Sequence, residues 1–266
     1  MKSKKQIIIF TLIYDPNQMF QLWLNWYLKF FSSDEILVLN LSNQPLNFPC
    51  QVKNFTQEEL QNFQARRKEG SYNQLVNETK GALLQDYQYV IYTDYDELLF
   101  YPGGLRTILE KNPKYLNPRG YEIIQNRETE ESLDFSKSIF HQRRFWVRNP
   151  YFDKPLVTSI DFRWSNGYHS AYIPVKTKSG RTDNCILKPK YLPDFCLLHL
   201  HRIDYDFNLR LNQRNLDVQR VVPSGADCNL LVGQDFENWW KPMEVKVVPI
   251  PDIVSQALQD LQISTT

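Results

Sequence analysis

Asp94, Asp96 and Glu97 put three carboxylates within four positions, at the end of the apolar run Tyr89-Val90-Ile91-Tyr92-Thr93 and just ahead of Leu98-Leu99. Carboxylates crowded at the end of a buried strand repel one another and lose hydration, so a positive group should lie among them. A divalent cation held by oxygen is the simplest candidate, and it would act as a Lewis acid wherever negative charge develops. The alternative is structural, with Asp94 capping the next element while Asp96 and Glu97 face water. Two adjacent carboxylates cannot surround an ion, so a further ligand must come from a distant segment. The chain has four histidines, His141, His169, His199 and His201. His199 closes the apolar run Phe195-Cys196-Leu197-Leu198, which suits a third metal ligand at a sheet edge. The alternative is that one of His199 and His201 hydrogen-bonds within the core.

The elements that must position these groups follow from the apolar pattern. Gln6 to Ile13 is a continuous β-branched run, as in a strand covered on both faces, and Asp15-Pro16-Asn17 stops it. Asn17 can cap the next helix, Met19 to Phe31, whose aromatic and aliphatic residues nearly surround it and imply deep burial. Glu35 to Asn40 is a second strand, so a βαβ unit and a parallel sheet are expected. A polar helical region spans about Thr56 to Leu84, interrupted at Gly70-Ser71 and Gly81, and Thr56 with Glu59 has capping-box spacing. Strand Tyr89 to Thr93 delivers the acidic cluster, Pro102-Gly103-Gly104 turns, and Leu105 to Leu109 is a short helix. Ligands of such open sheets bind beyond the carboxyl ends of the strands, where Tyr14-Asp15 and Asp94-Tyr95-Asp96 both fall.

After Gly120 the texture changes. Strands are expected at Tyr121 to Gln125, Phe140 to Val147, Val157 to Trp164 (antiparallel, one face wet) and Phe195 to His201, and a basic helix at Asp206 to Val221. The Pro-rich tail from Pro223 carries no clear pattern. Arg143, Arg144, Arg148 and Lys154 form a basic group that could fork onto phosphate or be a solvated face.

Bulk properties narrow the classes. The 266 residues suffice for one large domain, and 31 basic against 30 acidic side chains leave nothing global to attract nucleic acid. The four cysteines have no C-x-x-C spacing and read as buried free thiols of a reducing compartment. The first apolar run lacks a signal-peptide cleavage site and no stretch is long enough to span a bilayer, so a cytoplasmic chain is expected, with peripheral contact at the inner face of the membrane left open.

The strand running into Thr11-Leu12-Ile13-Tyr14-Asp15, the Trp-rich helix and the block Val90-Ile91-Tyr92-Thr93-Asp94-Tyr95-Asp96-Glu97-Leu98-Leu99 together resemble the GT-A glycosyltransferases. The resemblance is to the bacterial family 2-like group, which shares an Asp-x-Asp-Glu-Phe-type signature with the family 92 enzymes. Gln142-Arg143-Arg144-Phe145-Trp146-Val147-Arg148, Asp153-Lys154-Pro155-Leu156, Trp164-x-x-Gly167-x-His169 and His199-Leu200-His201 also resemble blocks of that group. The likeness covers roughly Gln6 to Arg214. Leu98 stands where the signature has Phe, and Asp15-Pro16 replaces Asn-Glu, which alters the expected base contacts.

The resemblance implies an α/β, Rossmann-like GT-A fold with a mixed, mainly parallel sheet flanked by helices and an antiparallel acceptor-side extension. It implies one domain, with residues 1–119 binding the nucleotide-sugar, residues 120–222 facing the acceptor, and a C-terminal tail over 223–266. The implied activity is metal-dependent, inverting transfer of a sugar from a nucleotide donor, UDP-sugar first, to a saccharide or lipid-linked acceptor with Mn²⁺ or Mg²⁺. Asp94 and Asp96 would hold the metal with His199; Asp94 would also address the donor, together with Tyr14, Asp15, Asn17 and Lys154. Asp96 and Glu97 would serve the chemistry, with His169 as general base and Asp153 and Asp161 as competitors for that role. Two other classes remain: an Asp-x-Asp phosphohydrolase, disfavoured because Glu97-Leu98 follows the second Asp, and a glycan-binding protein without turnover.

Overall fold

Lys5–Ile13 forms strand β1, buried from Ile7 onward as its unbroken apolar run requires. The computed structural model describes residues 4–14, 16–42, 44–65, 71–176, 182–217 and 231–258. Asn17 caps helix α1 (Gln18–Tyr27) by accepting from the amides of Met19 and Phe20 at 2.9 and 3.2 Å. The helix is shorter than expected, and Leu28 to Phe30 continue it only as turns. Strand β2 (Ile36–Asn40) pairs parallel with β1, Ile9 opposite Ile36, so the expected βαβ unit is present.

Strand β3 (Gln51–Asn54) has no signature in the sequence, being mostly exposed and polar. It adds parallel to β2 as an edge, secured by Asn54, whose Oδ1 accepts from Asn40 Nδ2 at 2.6 Å and from the Leu46 amide at 2.9 Å. Helix α2 (Gln57–Ala65) carries the predicted capping box, with Thr56 and Glu59 each bonding the other's amide. Helix α3 (Ser71–Asp86) runs through Gly81 without a break, contrary to expectation. A lone glycine weakens a helix by only about 1 kcal/mol relative to alanine, and tertiary anchors on both sides of it prevail.

Strand β4 (Tyr87–Tyr92) lies parallel to β1, and β5 (Glu97–Phe100), α4 (Leu105–Leu109) and β6 (Tyr115–Ile124) follow. The expected strand Phe140 to Val147 is a helical turn, α5 (Ile139–Gln142), followed by a short strand, β7 (Phe145–Arg148). The chain reverses there because Arg143 turns inward: its guanidinium donates to Ile203 O, to Glu131 O at 3.0 Å and to Asp204 at 2.8 Å. Val157 to Trp164 likewise splits into β8 (Val157–Thr158) and β9 (Arg163–Trp164). The Thr158 hydroxyl folds onto the backbone of Ile160, bonding its N–H at 3.1 Å and its carbonyl at 2.7 Å, which ends the ladder. The remaining elements are β10 (Ala171–Lys176), β11 (Thr182–Ile186), β12 (Tyr191–Arg202), α6 (Tyr205–Asp217), α7 (Gly233–Glu244), β13 (Val248–Pro249) and α8 (Asp252–Leu258). Val218 to Val221, expected to continue α6, lie outside the described residues.

The chain is α/β and divides into two units, Met1–Gly120 with Pro150–Leu197 and Tyr121–Asn149 with Leu198–Thr266. In the first, the sheet order is β3-β2-β1-β4-β8-β6, with the first four strands parallel, β8 antiparallel to β4, and β6 antiparallel to β8. The strand order reverses at β1, and α1 and α3 flank this mostly parallel sheet. A separate antiparallel sheet, β11-β10-β9, belongs to the same unit. In the second unit, β7 pairs antiparallel with the end of β6 and with β13. The described part of the tail that carried no pattern, residues 231–258, folds there: Phe236 and Trp240 of α7 are buried against Ile124, and Arg127 grips Glu237 and Glu244 in charge-assisted bonds of 2.8 to 3.3 Å.

Among the described residues the cysteines are free thiols, but only Cys196 is buried; Cys185 lies on the exposed strand β11. Cys228 lies outside them. No described helix is long and apolar enough to cross a membrane.

Candidate functional site

The acidic motif is a tight turn at the carboxyl end of β4. The Glu97 amide donates to Asp94 O at 3.0 Å, leaving Tyr95 and Asp96 at the two corners, and the Asp94 amide donates back to Glu97 Oε2 at 3.1 Å. The positive group demanded by crowded carboxylates is Lys154, whose Nζ lies 3.0 Å from Asp94 Oδ2 and 2.5 Å from Glu97 Oε1. Glu97 is fully buried and Lys154 nearly so. Burial opposes the ammonium charge, yet Asp94 and Glu97 outweigh it and raise the Lys154 pKa above its ordinary value. Asp94 Oδ1 accepts from Tyr92 Oη at 2.7 Å, so both of its oxygens are engaged. Asp96, at the second corner, is half-exposed.

Helix α1 braces this turn with the polar tips of its aromatic residues. Trp23 Nε1 donates to Thr93 Oγ1 at 2.8 Å and Trp26 Nε1 to Leu99 O at 2.9 Å. Tyr27 Oη accepts from the Leu99 amide at 2.9 Å and donates to Glu97 O at 3.2 Å. All three side chains are buried, so the turn's backbone bonds are shielded from water.

On the other side, the polar stripe of α3 fixes the loop that carries Trp164 and His169. Asn77 brackets Trp164, accepting from its amide at 2.7 Å and donating to its carbonyl at 3.2 Å, and Asn73 donates to Ser165 O. Buried Lys80 bonds Asp161 at 2.7 Å and Phe162 O, and lies 5.2 Å from the Trp164 ring. The Trp164 indole donates to Pro155 O at 2.7 Å, which ties this loop to the Lys154 segment. Gly167 and Tyr168 both take left-handed backbone, φ +69° and +63°, which turns the Tyr168 ring onto Tyr92 at 4.6 Å and toward Lys154 at 5.8 Å.

Other residues singled out in the sequence have varied surroundings. Tyr14, at the end of β1, packs edge-on against Tyr72 at 5.0 Å. Asn17 spends its Oδ1 on the α1 cap, and Asp15 lies outside the described residues. His169 rests on Tyr151, ring centroids 3.7 Å apart, with Nδ1 2.6 Å from Tyr151 O. A carbonyl only accepts, so Nδ1 carries the proton and the ring's basic lone pair is on Nε2. Of the competitors for the base, Asp153 accepts from the Gly120 amide at 2.8 Å and Tyr191 Oη at 3.0 Å, and Asp161 pairs with Lys80. The four basic residues do not act as one group. Arg143 is buried in backbone bonds, Arg144 donates to Thr129 O, Arg148 lies against the Tyr121 ring, and Lys154 serves the acidic turn.

His199 and His201 belong to the second unit. They stand two residues apart on β12, hence on one face, and their rings stack 5.5 Å apart. His199 is buried with Nδ1 3.3 Å from Glu122 Oε1, which realises the core hydrogen bond expected as the alternative. Burial opposes ionisation of Glu122, but the His199 bond and the charge of Arg202 outweigh it and hold the carboxyl at about 2. Sequence reasoning missed Glu122, although a charged residue inside the apolar run Tyr121 to Ile124 was a visible signal. It also missed Tyr92 and Tyr168, whose core-like types conceal their polar contacts.

A carboxylate oxygen and an imidazole nitrogen form a donor set suited to Mn²⁺, whereas Mg²⁺ prefers oxygen alone. Asp94 and Glu97 already share the Lys154 ammonium. The sequence matches no protein-family model and no curated protein.

Proposed function

We propose that this protein is a GT-A-type, metal-dependent glycosyltransferase that moves a sugar from a nucleotide donor to a saccharide or lipid-linked acceptor with inversion. The observation that carries the reading is the braced Asp94–Glu97 turn at the carboxyl end of β4, beside β1, where the strand order reverses. Open α/β sheets bind ligands in that crevice, so a nucleotide there would meet the acidic turn. Tyr14, at the end of β1, is the aromatic face for the base, and Asp15 and Asn17 adjoin it in the chain.

Asp96, at the corner of the acidic turn, would offer a carboxylate oxygen to a divalent ion, and His199 would offer an imidazole nitrogen. Bound there, the ion would supply charge neutralisation for the departing nucleoside diphosphate. Asp94 and Glu97 act with Lys154 to hold the turn rigid, so that Asp96 is presented without rearrangement. His169 takes the acceptor hydroxyl's proton at Nε2 while Tyr151 O fixes its other nitrogen.

Purified protein with Mn²⁺ should release nucleoside diphosphate from at least one of a panel of UDP-, GDP- and dTDP-sugars. Asp96→Ala should lower that rate by roughly a hundredfold or more, since several kcal/mol of charge stabilisation would be lost. His199→Ala should weaken Mn²⁺ binding in a direct titration. A panel with no metal-dependent release, or release of inorganic phosphate from simple phosphomonoesters, would overturn the reading.

A further inference from the structure

We infer that Glu122 is a positioning residue that sets the tautomer of His199, so that the ring presents the Nε2 lone pair to a metal ion. The inference deepens the metal role proposed for His199 and rests on it. Glu122 Oε1 lies 3.3 Å from His199 Nδ1, and an ionised carboxylate can only accept. The proton of the neutral ring is therefore on Nδ1 and the lone pair on Nε2. Buried metal-binding histidines are oriented in this way by a carboxylate behind the ring.

The other oxygen of Glu122 explains why a carboxylate is required there. Oε2 accepts from Asn149 Nδ2 at 3.3 Å and pairs with Arg202 Nη1, and the Arg202 guanidinium carbon itself lies over the Trp239 ring, 3.6 Å from its centre. Trp239 thus holds Arg202, Arg202 holds Glu122, and Glu122 holds His199. An amide in place of Glu122 would turn its carbonyl oxygen toward the two donors. Its NH₂ would then face Nδ1, which would have to accept, and the ring proton would move to Nε2 where it blocks a metal.

The test is ¹H–¹⁵N correlation of the imidazole nitrogens in the metal-free, full-length protein, together with Mn²⁺ titration. In the unmodified protein the His199 proton is expected on Nδ1. In Glu122→Gln it is expected on Nε2, with Mn²⁺ affinity lower by roughly 10–100-fold, while Glu122→Asp retains the original tautomer and most of the affinity. A proton on Nε2 in the unmodified protein, or an unchanged tautomer and affinity in Glu122→Gln, would overturn the inference. If Glu122→Gln does not fold, the unmodified spectrum and Glu122→Asp decide the matter. Failure of the unmodified protein to bind Mn²⁺ despite the expected tautomer would sink the proposed metal role of His199 instead.

Discussion

Lys154 and Glu97 form a buried ion pair, Nζ to Oε1 2.5 Å, although 57 positions separate them in the chain. The pair answers the electrostatic problem posed by three clustered carboxylates without calling on an ion for all of them. Lys154→Met should leave Glu97 charged, buried and without its countercharge. Breaking such a pair costs about 3–5 kcal/mol, so a large fall in denaturation midpoint is expected by urea titration. Adding Glu97→Gln to Lys154→Met should recover part of the loss, and strictly additive effects would argue against direct coupling.

The Tyr27 hydroxyl bonds both the amide of Leu99 and the carbonyl of Glu97. Tyr27→Phe keeps the ring but leaves these backbone groups buried and unsatisfied, which should cost about 1–3 kcal/mol. Amide exchange at Leu99 should quicken more than at β1 amides. Equal acceleration at both places would mean that the hydroxyl does not brace the turn.

Gly167 combines φ +69° with a lack of space: a Cβ would come within 2.8 Å of the His169 ring. Gly167→Ala should therefore displace His169 from Tyr151 as well as strain the backbone. The expected readout is a fall in transferase kcat that exceeds any loss of Mn²⁺ affinity. An unchanged kcat would remove His169 from the chemistry.

The pH dependence of stability should carry the signature of Glu122. Its carboxyl lies at about 2 in the folded protein, against about 4.3 when unfolded. Between these values the unfolded state binds more protons, so this contribution is complete above about pH 4.3 and is lost as pH falls toward 2. Acid unfolding followed by tryptophan fluorescence should therefore be less steep in Glu122→Gln, and an identical acid limb would refute the assignment.

What could be read in the sequence was local. The β-branched run of β1, Asn17 as a cap, the Thr56–Glu59 box, Leu105–Leu109 between Gly104 and Asn112, and the strand Phe195 to His201 within β12 each depend on residues within a few positions of one another. Short-range backbone preference and apolar period are sufficient to specify such elements, and they also brought the three carboxylates to a strand end. The polar edge strand β3 and the inward turn at Arg143 were not legible, because each depends on partners elsewhere: Asn40 for β3, and Ile203 and Asp204 for Arg143. The same holds for the charge balance of the candidate site. The sequence by itself determined that the carboxylates of Asp94, Asp96 and Glu97 needed a positive partner; only the tertiary structure decided that Lys154 meets Asp94 and Glu97, and that Glu122 stands behind His199. Coulomb attraction and hydrogen bonding act through space, and sequence separation carries no record of which distant groups the fold brings within 3 or 4 Å.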